Sequence, residues 1–306
     1  MMSGELESLL KQLRTPAVRD LAWVIGSPPL LDARFSAYQG KVAGNVFCQQ
    51  ALAACSENLL ALDHNPAPLL QFITQQPTRR LGYYFETLVE YWLRQASGIE
   101  LLAHNLPVRD AQRTIGEFDF LFRQQGIVIH WETAIKFYLQ AAPGEQQHVF
   151  VGPGGYDRLD LKVDRIFQHQ LQLSNAEANH QHVDAAQAFV KGMLFYPIDS
   201  QLTNAAGVAI DHLRGWWLRH CNNALKQFSP ASRWIVLSRL RWLSPALLSH
   251  DAAVMKPEEV TAMLDLHFSK MNIALLLAEV QQDAAGYWQE VSRGFVVSAE
   301  WPVNMQ

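Results

Sequence analysis

Leu6, Leu9, Leu10 and Leu13 recur at the three-and-four spacing of one helical face, so the chain opens with an amphipathic helix that needs a partner surface. SPPLL at Ser27–Leu31 interrupts it. Helical periodicity returns over residues 43–62 and is strongest from Leu81 to Gln95, where Leu81, Tyr84, Leu88 and Trp92 form an apolar stripe. The first third is therefore predicted to be mostly helical. From about Ile99 the pattern changes to short runs rich in Val, Ile and Phe bounded by Pro, Gly and Asn, which predicts strands near 100–108, 116–123 and 127–138. The Gln124–Gly126 segment (QQG) joins the last two as an antiparallel hairpin, with glycine available for positive φ.

GPGGYD at Gly152–Asp157 reads as a plain turn, matching neither a Walker loop nor a dinucleotide fingerprint, and Asp157 is placed to cap the helix after it. In that helix Leu159, Val163, Ile166 and Leu171 suit a core face, while Arg158, Lys162, Arg165 and His169 recur on another. A polar loop over about 174–186 leads into AFVKGMLFYP, a buried strand by composition. Helix is expected over 210–227, a strand at SRWIVLSRL and a helix opening at Pro257, where the missing N–H is harmless. NIALLLAEV and YWQEVSRGFVV suggest a closing hairpin. With no repeat and no low-complexity linker, residues 1–306 are expected to form a single globular unit.

Composition narrows the functional classes. The 306 residues are 49% apolar, enough for a large core, and the formal charge of −4 argues against indiscriminate adhesion to nucleic acid while leaving room for a local basic groove. No stretch approaches the roughly 18 apolar residues of a membrane span, and the start lacks a basic leader with an apolar block, so a soluble cytoplasmic protein with no membrane partner is expected. Cys48, Cys55 and Cys221 form neither a disulfide framework nor a close metal pair and are expected as buried free thiols. GxSxG, HExxH and kinase motifs are absent. His180 and His182 have metal-like spacing without a further nearby ligand, and Trp216, Trp217, Trp234 and Trp242 fit a core or partner face better than a base-stacking platform.

The chemistry concentrates in GEFD (Gly116–Asp119) and WETAIK (Trp131–Lys136). Strand side chains alternate, so Glu117 shares a face with Asp119, and Glu132 shares one with Ala134 and Lys136. Pairing the two strands in suitable register brings the carboxylates and the lysine into one pocket. Such a pocket suits Mg²⁺, which takes oxygen ligands through one or two carboxylates and leaves room for water and phosphate. Lys136 could then orient water or balance transition-state charge. The face carrying Arg158, Lys162, Arg165 and His169 is placed to meet phosphates of DNA or RNA, although a solvated helix face explains it as well.

GEFD followed by WETAIK resembles the core of the PD-(D/E)XK nucleases. The resemblance implies an α/β fold with a restriction-endonuclease-like mixed-sheet core over 80–198, a helical N-terminal extension over 1–79 and an α/β C-terminal extension over 199–306. It further implies Asp119 and Glu132 as ligands of Mg²⁺ or Mn²⁺, Glu86 as an additional acidic ligand, and Glu132, Asp119 and Lys136 as the catalytic group. In that pattern the lysine stands at position 134, where this chain has Ala134; Lys136 keeps the face but lies roughly 7 Å farther along the strand. Two readings follow: a metal-dependent nuclease whose lysine reaches back, or a nucleic-acid-binding or scaffolding protein that keeps the fold without hydrolysis. VRDLAWVIGSPPLL, GPGGYDRLDLKVDRIFQHQLQLS and KGMLFYP are also similar to an uncharacterised bacterial family, domain of unknown function family 1853, across almost the whole chain.

Overall fold

The computed structural model describes residues 4–76, 80–109, 113–142, 144, 146–176, 181–198, 204–221 and 225–302. In chain order the elements are α1 (Gly4–Gln12), α2 (Pro16–Gly26), α3 (Asn45–His64), α4 (Ala67–Gln75), α5 (Leu81–Gln95), β1 (Ile99–Arg109), β2 (Thr114–Gln124) and β3 (Ile127–Gln140). They continue with β4 (Phe150–Val151), α6 (Leu159–Arg165), β5 (Ala185–Pro197), β6 (Leu213–Arg219), β7 (Arg233–Leu237), β8 (Leu247–Leu248), α7 (Pro257–Phe268), β9 (Leu275–Gln282) and β10 (Trp288–Val297). The class is α/β with a mixed sheet, as expected. The chain divides into two compact units, the first from the described residues within 1–136, 160–192 and 204–213, the second from those within 137–159, 193–203 and 214–306.

The first unit carries α1–α5 and the strand order β1-β2-β3-β5. Leu6, Leu9, Leu10 and Leu13 are all buried, as their spacing requires. Their partner is α2, which opens on Pro16 and buries every residue from Ala17 to Gly26. Arg19 within α2 is buried too, and its guanidinium donates to the Leu10 and Leu13 carbonyls, satisfying acceptors that the end of α1 leaves open. The β2–β3 hairpin turns on Gln125 and Gly126, both at positive φ (52° and 82°), the geometry whose twist matches antiparallel strands. Trp131 of β3 stacks on Phe189 of β5 at 4.4 Å, and Trp92 of α5 packs on both, so aromatic surface locks α5 to the sheet.

Two features of β5 hold this unit tightly. Lys191 is fully buried, with its ammonium donating to the carbonyls of Ser27 and Ile25 at the end of α2 and lying 3.2 Å from Cys48 Sγ. Gly192 has φ 149°, and a Cβ built there would stand 1.8 Å from the Lys136 carbonyl oxygen. Only glycine permits so close an approach of β5 to β3.

The second unit contains β4, β6–β10, α7 and the last parts of β3 and β5, in the order β3-β5-β6-β10-β9-β7, with β4 on β3 and β8 on β10. β9 and β10 form the predicted antiparallel hairpin, and α7 begins at Pro257 as expected. The expectation of helix over 210–227 fails: residues 213–219 form β6, parallel to β10. Gly215 meets the Phe195 ring and Gly294 meets the Trp216 ring at distances that leave no room for a Cβ, so pleated packing between neighbouring strands outweighs the local apolar pattern. Trp234 packs edge to face against both Trp216 and Phe228, which lie tilted on one another, in the core of this unit. Cys48 is buried as expected, Cys55 is partly buried and Cys221 is exposed.

Gly192→Ala combines a positive-φ position with a backbone clash and is expected to destabilise the protein by about 3 kcal/mol or more. A urea titration of wild type and variant checks this, and an unchanged midpoint would refute the close approach.

Candidate active site

The β2–β3 ladder runs from Gln124↔Ile127 to Phe120↔Trp131, and its extension places Asp119 opposite Glu132. The ladder stops there, and Asp119 supplies with its side chain the acceptor that the strand no longer provides: Oδ2 takes the Thr133 backbone N–H at 2.8 Å and the Thr133 hydroxyl at 3.1 Å. On the other side of β2 the register passes from His104↔Phe120 to Leu106↔Phe118, with Asn105 between them at φ 53°. A non-glycine residue in that conformation marks a local distortion of the edge beside Asp119. Asp119, the second acid of GEFD, is thus fixed by hydrogen bonds rather than by regular pleat.

Glu132 is 2% exposed. Its Oε1 accepts from the Gln170 side-chain amide and lies 3.6 Å from Lys162 Nζ, which itself donates to Gln170 Oε1 at 3.1 Å. Its Oε2 is buried and has no hydrogen-bond partner. Lys162 and Gln170 are eight residues apart, about 80° round a regular α-helix. Here α6 gives way to a π-helical turn over Ile166–Gln170, which winds less per residue and returns Gln170 to the side of Lys162.

Glu86 on α5 completes the acidic group. Burial chiefly, and then the negative charge of Asp119, push its carboxyl up to about 7, against the opposing pull of His104 and Lys162. Burial and Asp119 likewise push Glu132 well above the usual carboxylate range. Asp119 is raised by burial, which outweighs the two Thr133 bonds. Lys162 is lowered by its own burial and by the like charge of Lys136, with Glu132 opposing. The acids outnumber the cation held among them, so desolvation and mutual repulsion favour bound protons or an added positive charge.

One turn along α5, Glu90 is 3% exposed and fully engaged: Arg94 at 2.7 Å, His104 Nδ1 at 3.0 Å and the Gln76 amide at 3.1 Å. Those bonds hold it down to about 2 despite its burial, the largest single influence. His104 stacks on Phe120 with centroids 4.6 Å apart, and its Nε2 is buried without a partner.

The sequence-derived candidates separate as follows. Glu86, Asp119 and Glu132 come together, each feeling the charge of another. Lys162, expected on an outer basic face, turns inward to Glu132, while Arg165 and His169 are exposed and Arg158 is partly buried. Lys136 is partly buried on β3 and acts on Lys162 as a like charge. Glu117 contributes repulsion to Glu86 and Asp119. His182 pairs with Asp184 at 2.8 Å on the surface, and His180 lies outside the described residues. Gln170 and His104 give no signal in the sequence, because a π turn and a distorted edge strand leave no periodic signature, whereas the Glu90–Arg94 pair follows from i,i+4 spacing on α5.

The donor set fits a hard cation bound through few protein ligands. Glu132 Oε2 is a buried carboxylate oxygen without a partner, and carboxylate oxygen is the ligand that Mg²⁺ and Mn²⁺ take. Among the described residues no group of three or more His, Cys, Asp or Glu stands ready-made for a metal ion. A site using two carboxylates and leaving its other positions to water is the arrangement consistent with both facts.

A raised carboxyl binds its proton more tightly in the folded state, so its contribution to stability is fully present below about pH 4.5 and declines as pH rises through the folded value, about 7 for Glu86. Glu86→Gln removes that penalty. The variant is expected to unfold at higher temperature than wild type at pH 8, with the difference closing by pH 4.5; melting curves across this range test it, and a constant difference would refute the assignment.

No helix among the described residues is long and apolar enough to cross a membrane. No curated protein and no solved structure matches the chain. A family match does exist and spans both units, from within α2 to the end of β10. By that match over residues 19–297, the chain belongs to the family described as domain of unknown function DUF1853.

Proposed function

We propose that the protein hydrolyses phosphodiester bonds of DNA or RNA with Mg²⁺ or Mn²⁺, at the cluster formed by Asp119, Glu132, Glu86 and Lys162. The observation that carries this reading is Glu132: a buried carboxylate with one oxygen engaged by Gln170 beside a lysine ammonium 3.6 Å away and the other without a partner. Asp119 and Glu132 would hold the cation, with Glu86 as the additional acid. When bound, the cation supplies charge neutralisation at the phosphate and a more acidic water.

The chain's own groups account for the remaining tasks. Thr133 fixes the Asp119 carboxylate, so its orientation does not depend on ligand. Gln170 fixes both Glu132 and Lys162. Lys162 offers positive charge to the phosphoryl oxygens as negative charge grows on them. This role falls to Lys162 rather than Lys136, because Lys162 is the lysine beside Glu132. Exposed Arg165 and His169, on the same helical segment, suit contacts with flanking phosphates that position without reading sequence.

A second reading, binding without hydrolysis, draws on the Gln170 amide already occupying Glu132 Oε1 and on Ala134 in the usual lysine position. The two separate in one assay of labelled single-stranded and duplex DNA and RNA with Mg²⁺ or Mn²⁺. Cleavage is expected for wild type, with a drop of at least ~10²-fold in Glu132→Gln, Asp119→Asn and Lys162→Ala and a smaller one in Lys136→Ala. Cleavage surviving in the double variant Asp119→Asn/Glu132→Gln would reject the site. Retention of nucleic acid with no turnover would select the second reading.

Cation uptake has its own signature. Because Glu86 and Glu132 hold protons near neutrality, Mn²⁺ binding at pH 7 is expected to release protons, so the calorimetric enthalpy will depend on the buffer's ionisation enthalpy. Buffer-independent heats with saturable binding would contradict displacement of those protons.

A further inference from the structure

We propose that His104 is a further catalytic residue of this site, its Nε2 taking the proton of the attacking water while Glu90 holds the ring in position. The inference rests on the hydrolytic reading above and adds a residue to it. Glu90 Oε2 lies 3.0 Å from His104 Nδ1 and is tied by Arg94 and Gln76, so the ring donates its Nδ1–H and leaves the lone pair on Nε2. That nitrogen is buried and has no partner, a costly state for a structural histidine and the one a proton acceptor requires.

The placement connects His104 to the acids. Its ring is stacked against Phe120, the chain neighbour of Asp119, with planes 4° apart, so it cannot turn freely. Glu86 lies one helical turn from Glu90 on α5, and interacts electrostatically with both His104 and Asp119. The charged groups around Glu86 and His104 are Glu86, Glu90 and Arg94 on α5, Glu117 and Asp119 on β2, Glu132 on β3, and Lys162 on α6. A carboxylate-held imidazole with a dry free nitrogen is the orienting arrangement that general-base catalysis uses.

The step balances without a further reagent. The water oxygen bonds to phosphorus as the bond from phosphorus to the leaving oxygen breaks; the water proton passes to Nε2, the leaving oxygen takes a proton from solvent, and the imidazolium returns its proton to solvent.

The decisive variant is His104→Asn, whose amide can still donate to Glu90 while Nε2 is lost. With labelled oligonucleotide and Mn²⁺, kcat is expected to fall by about 10²–10⁴-fold with KM within about twofold. Imidazole is expected to restore part of the rate in His104→Ala, which guards against a loss caused by misfolding. Nitrogen NMR of the wild type is expected to show Nδ1 protonated and Nε2 bare near pH 8; the opposite tautomer overturns the proposal whatever the activity. Full activity in His104→Asn alongside an inactive Glu132→Gln removes His104 and leaves the hydrolytic reading intact. Wild type that cleaves nothing overturns both.

Discussion

The constraint on which the candidate site depends is the removal of carboxylates from water around a single inward-turned lysine. Asp119 and Glu132 are brought opposite one another by the hairpin register, and Glu86 approaches from α5, so repulsion and desolvation act on the same small volume. A protein built only for stability would pair or bury apolar groups there. The surrounding structure instead tolerates the cost: the aromatic packing of Trp131, Phe189 and Trp92 holds α5 to the sheet on which the acids stand.

That tolerance has identifiable supports. Thr133 restrains Asp119, Gln170 restrains Glu132 and Lys162 together, and Glu90 restrains His104, so each group that could do chemistry is oriented by another that need not. Irregular backbone occurs at the same places. The ladder between β2 and β3 ends at Phe120, Asn105 takes positive φ, and α6 continues as a π turn. Each irregularity redirects a side chain that regular structure would have pointed elsewhere.

Lysine placement shows how differently one strand and one helix solve the same electrostatic problem. On β3 the alternation of the pleat gives Lys136 the same face as Glu132 and Ala134, four residues past Glu132. Lys162 arrives from a separate element and lies beside Glu132 with most of its side chain shielded. Lys136 then acts as a like charge that further disfavours protonation of Lys162, a modest effect next to burial.

Much of the fold was legible in the chain. The Leu6–Leu13 stripe, the 81–95 helix, the three strands that follow, the hairpin at Gln125–Gly126 and the closing β9–β10 pair all carry local signals of periodicity or turn chemistry that survive packing. Segment 213–219 did not: its local pattern predicts helix, and only its neighbours β5 and β10 select the extended form. For the candidate site, the sequence by itself places GEFD and WETAIK on two strands joined by a two-residue turn, whereas the bonds that orient Asp119 and the approach of Glu86 come only with the fold. Tertiary structure decided that Lys162 lies beside Glu132, that Gln170 holds these two, and that Glu90 holds His104 near Glu86. Those residues come from distant segments whose approach depends on side-chain packing and on a π turn, and neither is encoded in a local period.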